Sequence, residues 1–234
     1  MIATLSWRLK HKLGFLLESP TWRANPDWAA KIGHGRDTLA KLNHAAIDLM
    51  SEIRKASEAA DTPMVISGCI GPRGDGYDPG KLMSADEAQE YHAWQVGVLG
   101  KAGVDLVSAF RMNNVNEALG VARAARGAGL PCVISFTLET DGRLPTGDSL
   151  EDAINAVDAG AEKAPAYYML NCAHPTHFAD ALQGGDWLTR LRGVRANSSR
   201  RSHAELDNAT ELDTGNPAEL GQQYAELLRR FPQI

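Results

Sequence analysis

Apolar residues along this chain follow two alternating rhythms. Short, nearly unbroken apolar runs rich in β-branched and aromatic residues fall at residues 15–19 (FLLES), 64–71 (MVISGCIG), 104–110 (VDLVSAF), 132–139 (CVISFTLE), 166–172 (AYYMLNC) and, more weakly, 193–199 (GVRANSS). Continuous rather than alternating hydrophobicity predicts parallel strands covered on both faces. Between the runs, apolar residues recur every three or four positions, the helical period. Leu39, Leu42, Ala46, Leu49 and Ile53 do so across a predicted helix at residues 36–59. Ser84, with Glu87 three residues on, is a capping-box pair that starts a helix reaching residue 102. Further helices are predicted over residues 114–127 and 149–159, and a last one from Asn216 to about residue 230 with Pro217 in its first turn. An amphipathic helix over about residues 4–13 precedes the first strand.

Regular strand–helix alternation means a parallel sheet, and six such units favour a (β/α)8 TIM-type barrel over an open sheet. No GxGxxG motif follows the first strand, which argues against a dinucleotide-binding sheet. With no linker or low-complexity tract, residues 1–234 read as one domain. A closed barrel of this type has eight strands, and six are recognisable here, so the barrel is expected to be incomplete. The missing wedge falls at the seam where the first and last strands should meet. Two unpaired strand edges invite pairing with another chain, which makes a homo-oligomer one expected partner state.

Composition narrows the class without naming the chemistry. Hydrophobic residues at 44% and charged residues at 23% are ordinary for a globular protein. A net charge of −5 and a pI near 5.8 give no basic footprint, so no nucleic-acid partner is expected. No apolar run approaches the roughly 20 residues that span a bilayer, and no membrane partner is expected. The opening MIATLSWRLKHKLGF is broken by cations and lacks the uninterrupted apolar core of a signal peptide. Three cysteines without a CxxC pair argue against a disulfide framework and for a reducing, cytoplasmic location.

In such barrels reactive groups sit where strands end and βα loops begin. Those loops here are polar and rich in Gly, Pro and Asn, whereas the helix-to-strand connections are plain. GCIGPRGDGYDPG carries five glycines in thirteen residues, so the backbone turns tightly or approaches a ligand closely. Cys172 closes its strand at this face and is either a metal ligand or a buried thiol. Cys69 and Cys132 lie within or at the start of their strands and read as small buried hydrophobes. Cys172-x-His174-x-x-His177 has a spacing that zinc could use, but Pro175 fixes the loop between the histidines, and loop donors or a helix cap are the simpler reading. Glu18 and Glu139 are strand-end carboxylates that either bind an amine, act as bases, or pair with Arg23, Arg111 or Arg143. Trp22 either walls a cationic ligand or caps the barrel mouth. Arg195, Arg200 and Arg201 either grip an anion or form a charge-paired loop.

Taken together, SGCIGPRGDGY, YHAWQVGVLGKAGVDLV, SFTLETDGRLPTGDSLEDAI and LNCAHPTHF resemble the homocysteine S-methyltransferase family, over a span from about residue 14 to the C-terminus. The matching positions are residues 68–72, the Tyr91, His92 and Gln95 set, and Asn171 with Cys172. The resemblance implies a (β/α)8 barrel, a zinc cofactor, and methyl transfer from a sulfonium or quaternary-ammonium donor to the thiol of homocysteine or a related small molecule. It implies that Cys172 is a zinc ligand and that Thr21, Trp22, Gly71, Pro72, Glu139 and Asn171 line the substrate pocket. No residue is singled out as a catalytic acid, base or nucleophile. Three departures stand out. The family's adjacent Cys-Cys pair on the last strand and its Asp-Gly motif on the first are missing, and Phe110, followed by Arg111, stands where many members place a substrate-binding Glu. With one of three zinc thiolates, the chain is expected to be a fragment with little or no activity. The contrasting expectation is a non-catalytic, partner-binding remnant stable only as an oligomer.

Overall fold

The computed structural model describes residues 2–162 and 165–234, with side chains described from residue 6 onward. Helix α1 (Ile2–His11) leads into β1 (Phe15–Glu18), followed by α2 (Pro26–Lys31), α3 (Arg36–Ser57), β2 (Met64–Ile70), α4 (Ala85–Ala102), β3 (Leu106–Met112) and α5 (Val115–Gly127). The second half comprises β4 (Cys132–Thr137), α6 (Leu150–Gly160), β5 (Pro165–Asn171), α7 (Pro175–Phe178), a 3-10 turn at Asp186–Arg190, β6 (Leu191–Arg195), α8 (His203–Asp207) and α9 (Pro217–Arg230).

The six strands form one sheet in the order β1-β2-β3-β4-β5-β6, and every neighbouring pair is parallel. This is the incomplete TIM-type barrel expected from the pattern. The sixth strand begins at Leu191 and ends at Arg195 rather than running to residue 199, because the Asn197 N–H turns away to the Ala173 carbonyl at 3.0 Å. Helix α2, α7, α8 and the 3-10 turn, of four to six residues each, were not expected. They are too short to display a 3.6-residue period.

Local chemistry explains the longer helices. Ser84 and Glu87 close a reciprocal capping box on α4, and Gly103 ends that helix in the left-handed region at φ 91°. Asn114 and Ser149 cap α5 and α6 through their side chains. Helices α4 and α5 meet where Gly120 lies so close to α4 that a Cβ there would sit 2.4 Å from the Ala88 Cβ. Helix α1 is tied down by Arg8, almost wholly buried, whose guanidinium donates to the carbonyls of Ser57 (2.6 Å) and Thr62 (2.7 Å). A cation at the end of α3 complements that helix's C-terminal dipole.

Side chains alternate across the sheet. A Cβ on Gly68 would meet Leu99 of α4 at 2.9 Å, so Gly68 faces the helices and Ser67 and Cys69 face the inside of the curve. Ile66, Val107, Ile134, Phe136, Tyr168 and Leu170 are fully buried in the core between sheet and helices. The rings of Phe136 and Tyr168 stack there with centroids 6.0 Å apart. Each such side chain contributes about 1.5–3 kcal/mol by leaving water. The inner face is built of smaller and polar residues, with Ser67 donating to Ser108 at 2.7 Å across the β2–β3 pair.

β1 and β6 are the sheet's edges, yet Arg195 at the end of β6 reaches Glu18 at the end of β1 with 2.7 Å between Nη2 and Oε2. The sheet is therefore curled enough to bring its two margins together at the C-terminal mouth. Lower down, the inside is less sealed, and Val65 on β2 is 36% exposed.

Candidate functional site at the barrel mouth

The segment after β1 is stitched to the end of β2 by hydroxyls. The Ser19 N–H donates to the Ser67 carbonyl at 2.9 Å, and the Cys69 N–H donates to Ser19 Oγ at 3.0 Å. Thr21 Oγ1 donates to the Cys69 carbonyl at 2.7 Å and is 2.7 Å from Ser19 Oγ. These buried bonds replace the sheet ladder where it ends and aim Trp22 across the mouth, where its indole N–H donates to the Phe110 carbonyl at 3.1 Å. Gly71 makes this geometry possible, since a Cβ there would lie 2.6 Å from the Trp22 carbonyl and 2.7 Å from its ring.

Asn171 is the polar hub at the end of β5. Its Oδ1 accepts from Ser135 Oγ (2.6 Å) and from the Arg111 N–H (3.1 Å), while its Nδ2 donates to Thr137 Oγ1 (2.9 Å). Three strands are thereby joined through the three hydrogen bonds of one buried amide. Arg111 and Cys172, the residues at either end of this hub, both adopt left-handed backbone, at φ 62° and φ 61°. Such non-glycine residues persist only where surrounding bonds over-determine them. For Cys172 those bonds are plain: its N–H donates to the Arg195 carbonyl (3.0 Å), and its carbonyl accepts from His203 Nε2 (2.6 Å) and Asn197 Nδ2 (2.9 Å).

Cys172 is part-exposed, whereas Cys69 and Cys132 are buried, and all three are unpaired thiols. Burial pushes the Cys69 thiol up to about 12, with the Glu18 charge adding to the shift and Arg195 and Arg111 opposing it. Burial likewise raises Cys132 to about 12. Burial first, then the neighbouring Cys172, pushes the Tyr77 phenol up, with Arg111 opposing. Tyr77 also lies against His203, ring centroids 4.0 Å apart.

Trp22, Arg23, Cys69, Phe110, Arg111, Asn171, Cys172 and Arg195 line a cavity of about 500 Å³ at this mouth. Of the residues expected to line the pocket, Trp22 and Asn171 come together here beside Cys172, the expected metal ligand, and Gly71 packs beneath Trp22. Thr21 is spent on the Cys69 carbonyl, Pro72 is buried in the glycine-rich turn, and Glu139 bonds His203 Nδ1 at 3.1 Å. None of these three lines the cavity. The carboxylates do not pair with Arg23, Arg111 or Arg143, because Arg195 from the far edge reaches Glu18 and His203 reaches Glu139. Of the arginine trio, Arg200 pairs with Glu219 and Arg201 lies 3.7 Å from Asp213, which leaves Arg195 alone at the cavity.

Sequence reasoning passed over Cys69, Tyr77 and His203. Cys69 looked like an ordinary strand cysteine. His203 carried one usable signal, the Ser202–Glu205 capping box that starts α8 beside it. His174 caps α7 with its ring, accepting from the Thr176 N–H at 3.3 Å, and burial, then Arg200 and His177, hold it below the usual histidine range. His177 faces the Arg200 carbonyl at 3.0 Å. Among the described residues, no group of three or more His, Cys, Asp or Glu side chains could hold a metal ion. Cys172 and the buried Cys69 are the thiols at the cavity, and this donor set does not fit a zinc centre of three protein ligands.

The sequence model of the homocysteine S-methyltransferase family matches residues 15–230. The chain belongs to the homocysteine S-methyltransferase family. Solved structures similar to this member of the family include the homocysteine methyltransferase MmuM from Escherichia coli in its metallated form, with 21% identity, 82% of this chain and 77% of that chain covered, and a TM-score of 0.65. The apo form of the same protein matches at 18% identity, covering 83% of this chain and 93% of that one with a TM-score of 0.58. At these identities the likeness speaks for the barrel fold. A search of curated proteins finds no match. No helix among the described residues is long and apolar enough to cross a membrane.

Proposed function

We propose that this family member carries out methyl transfer to the sulfur of a small thiol, homocysteine or a relative of it, at the mouth of the barrel. The observation that supports it is a part-exposed thiol, Cys172, on a backbone fixed by three hydrogen bonds at the edge of a cavity of about 500 Å³. In the reaction the acceptor thiol loses its proton to solvent and its sulfur lone pair forms the new S–CH3 bond. The donor's S–CH3 or N–CH3 bond breaks, and its electron pair leaves with a neutral sulfide or tertiary amine. With homocysteine the product is methionine, which would place the chain in methionine biosynthesis.

The residues assigned to the acceptor are Trp22 and Asn171 at the cavity, with Thr21, Gly71, Pro72 and Glu139 holding the surrounding loops. Zinc is the metal this chemistry calls for, since a bound thiol is deprotonated by it, and Cys172 would be one of its ligands. Because one thiolate does not hold zinc tightly, turnover by the chain is expected to be low. Three unpaired thiols suit a cytoplasmic location.

The test is to incubate the protein with zinc, a dimethylsulfonium donor carrying an isotopically labelled methyl, and homocysteine, and to follow labelled thioether by mass spectrometry. Slow product formation above the protein-free control, lost in Cys172→Ala, is the expected result. Equal rates with and without protein overturn the reading.

A further inference from the structure

The three arginines at the cavity are not equivalent. Arg23 and Arg111 lie against the Trp22 ring, 5.0 Å and 4.9 Å from its centroid, and both feel the charge of one carboxylate, Asp75. Burial works against the ionisation of Asp75. The N–H groups of Tyr77 (2.8 Å) and Asp78 (3.2 Å), with the charges of both arginines, outweigh it and hold the carboxyl below its usual range. Those two cations are compensated where they stand.

Arg195 is held more lightly. Its guanidinium meets Glu18 through Nη2 at 2.7 Å and lies 4.6 Å over the Phe110 ring, and its side chain is 57% exposed. Glu18 is the inward partner. It stands in register with Ser67, on the face that lines the inside of the curve, and its charge adds to burial in raising the Cys69 thiol. Its Oε2 meets Arg195, while Oε1 is buried without a hydrogen-bond partner among the described residues. A buried carboxylate oxygen lacking a donor is a costly arrangement. This one lies behind the arginine that lines the cavity of about 500 Å³.

The two ends of this pair match the two charges of an α-amino acid. An ammonium at Glu18 gives Oε1 the donor it lacks, and a carboxylate at Arg195 receives a guanidinium fork in exchange for Glu18. A zwitterion inserted between them adds no net charge, whereas a plain amine or a plain acid strands one member of the pair. Parting the pair costs little, because Arg195 is largely solvated. We propose that the Glu18–Arg195 pair is the zwitterion subsite of the acceptor, opening to take the ammonium of an amino-acid thiol on Glu18 and its carboxylate on Arg195. The inference rests on the thiol-methylation reading and narrows its acceptor to thiols that are also α-amino acids.

Calorimetric titration of the full chain with three thiols tests this: homocysteine, 4-mercaptobutanoate, which lacks the ammonium, and 3-aminopropanethiol, which lacks the carboxylate. Homocysteine is expected to bind roughly tenfold or more tightly than either analogue, the scale of one charge-assisted hydrogen bond. Glu18→Gln should bring homocysteine down to the level of 4-mercaptobutanoate without weakening the latter. Arg195→Gln should do the converse, bringing homocysteine down to the level of 3-aminopropanethiol, and it serves as the second variant should the first fold poorly. A general loss of structure would weaken all three probes together and would not produce this mirror-image pattern. Homocysteine binding no tighter than its analogues, a preference that survives both substitutions, or binding of none of the three overturns the proposal. Methyl transfer is scored separately by mass spectrometry. Zwitterion-selective binding without labelled product would sink the methyltransferase reading alone, and product formed equally well from homocysteine and both analogues would sink the ion-pair subsite alone.

Discussion

Strands β4 and β6 have similar lengths and opposite surroundings. All six residues of β4 are buried, with a parallel partner on each side, whereas β6 buries only Leu191 and pairs only with β5. The difference teaches how the molecule divides its tasks. The wall from β2 to β5 is held by apolar packing under the helices, with Ile134, Phe136, Tyr168 and Leu170 fully buried. The seam between β6 and β1 is held at its mouth by one ion pair, with the Arg195 side chain 57% exposed. Packing gives the wall its stability, and the seam leaves room for a cavity at the mouth.

Three substitutions would sharpen or break that division. Phe136→Ala empties a fully buried site stacked on Tyr168 and should cost about 3–5 kcal/mol in urea unfolding. Asn171→Ala strips partners from Ser135, Thr137 and the Arg111 N–H at the junction of wall and mouth, and should cost about 2–3 kcal/mol. Glu18→Gln removes the ion pair at the seam and should cost less than about 1 kcal/mol, because Arg195 is largely solvated. The loss in that last variant should shrink further as salt is added. A Glu18→Gln cost as large as that of Phe136→Ala would mean that the seam, not the wall, governs stability.

The wall was the legible half. Its strands are near-continuous apolar runs such as CVISFT, and strands covered on both faces leave that signature whatever their neighbours are. The starts of α4 and α6 were legible because capping by Ser84 and Ser149 is local chemistry. The position of Cys172 at a strand end followed from the same apolar run. The mouth was legible in outline only, since its geometry is made by residues distant in sequence. Nothing near Glu18 announces Arg195, 177 residues away, and nothing near Cys172 announces Tyr77 or His203. Cys69 illustrates the same limit. Its burial was readable from the strand, but its place on the cavity wall depends on how far the sheet curls.

That 177-residue span has a kinetic side. A chain emerging from the ribosome presents Glu18 early, but its cationic counterpart arrives only after five more strands have been made. Until then the first strand's outer margin stays unlatched during synthesis, exposed to whatever else is within reach. A nascent chain stalled before β6 should therefore be the form of this protein most prone to mispairing.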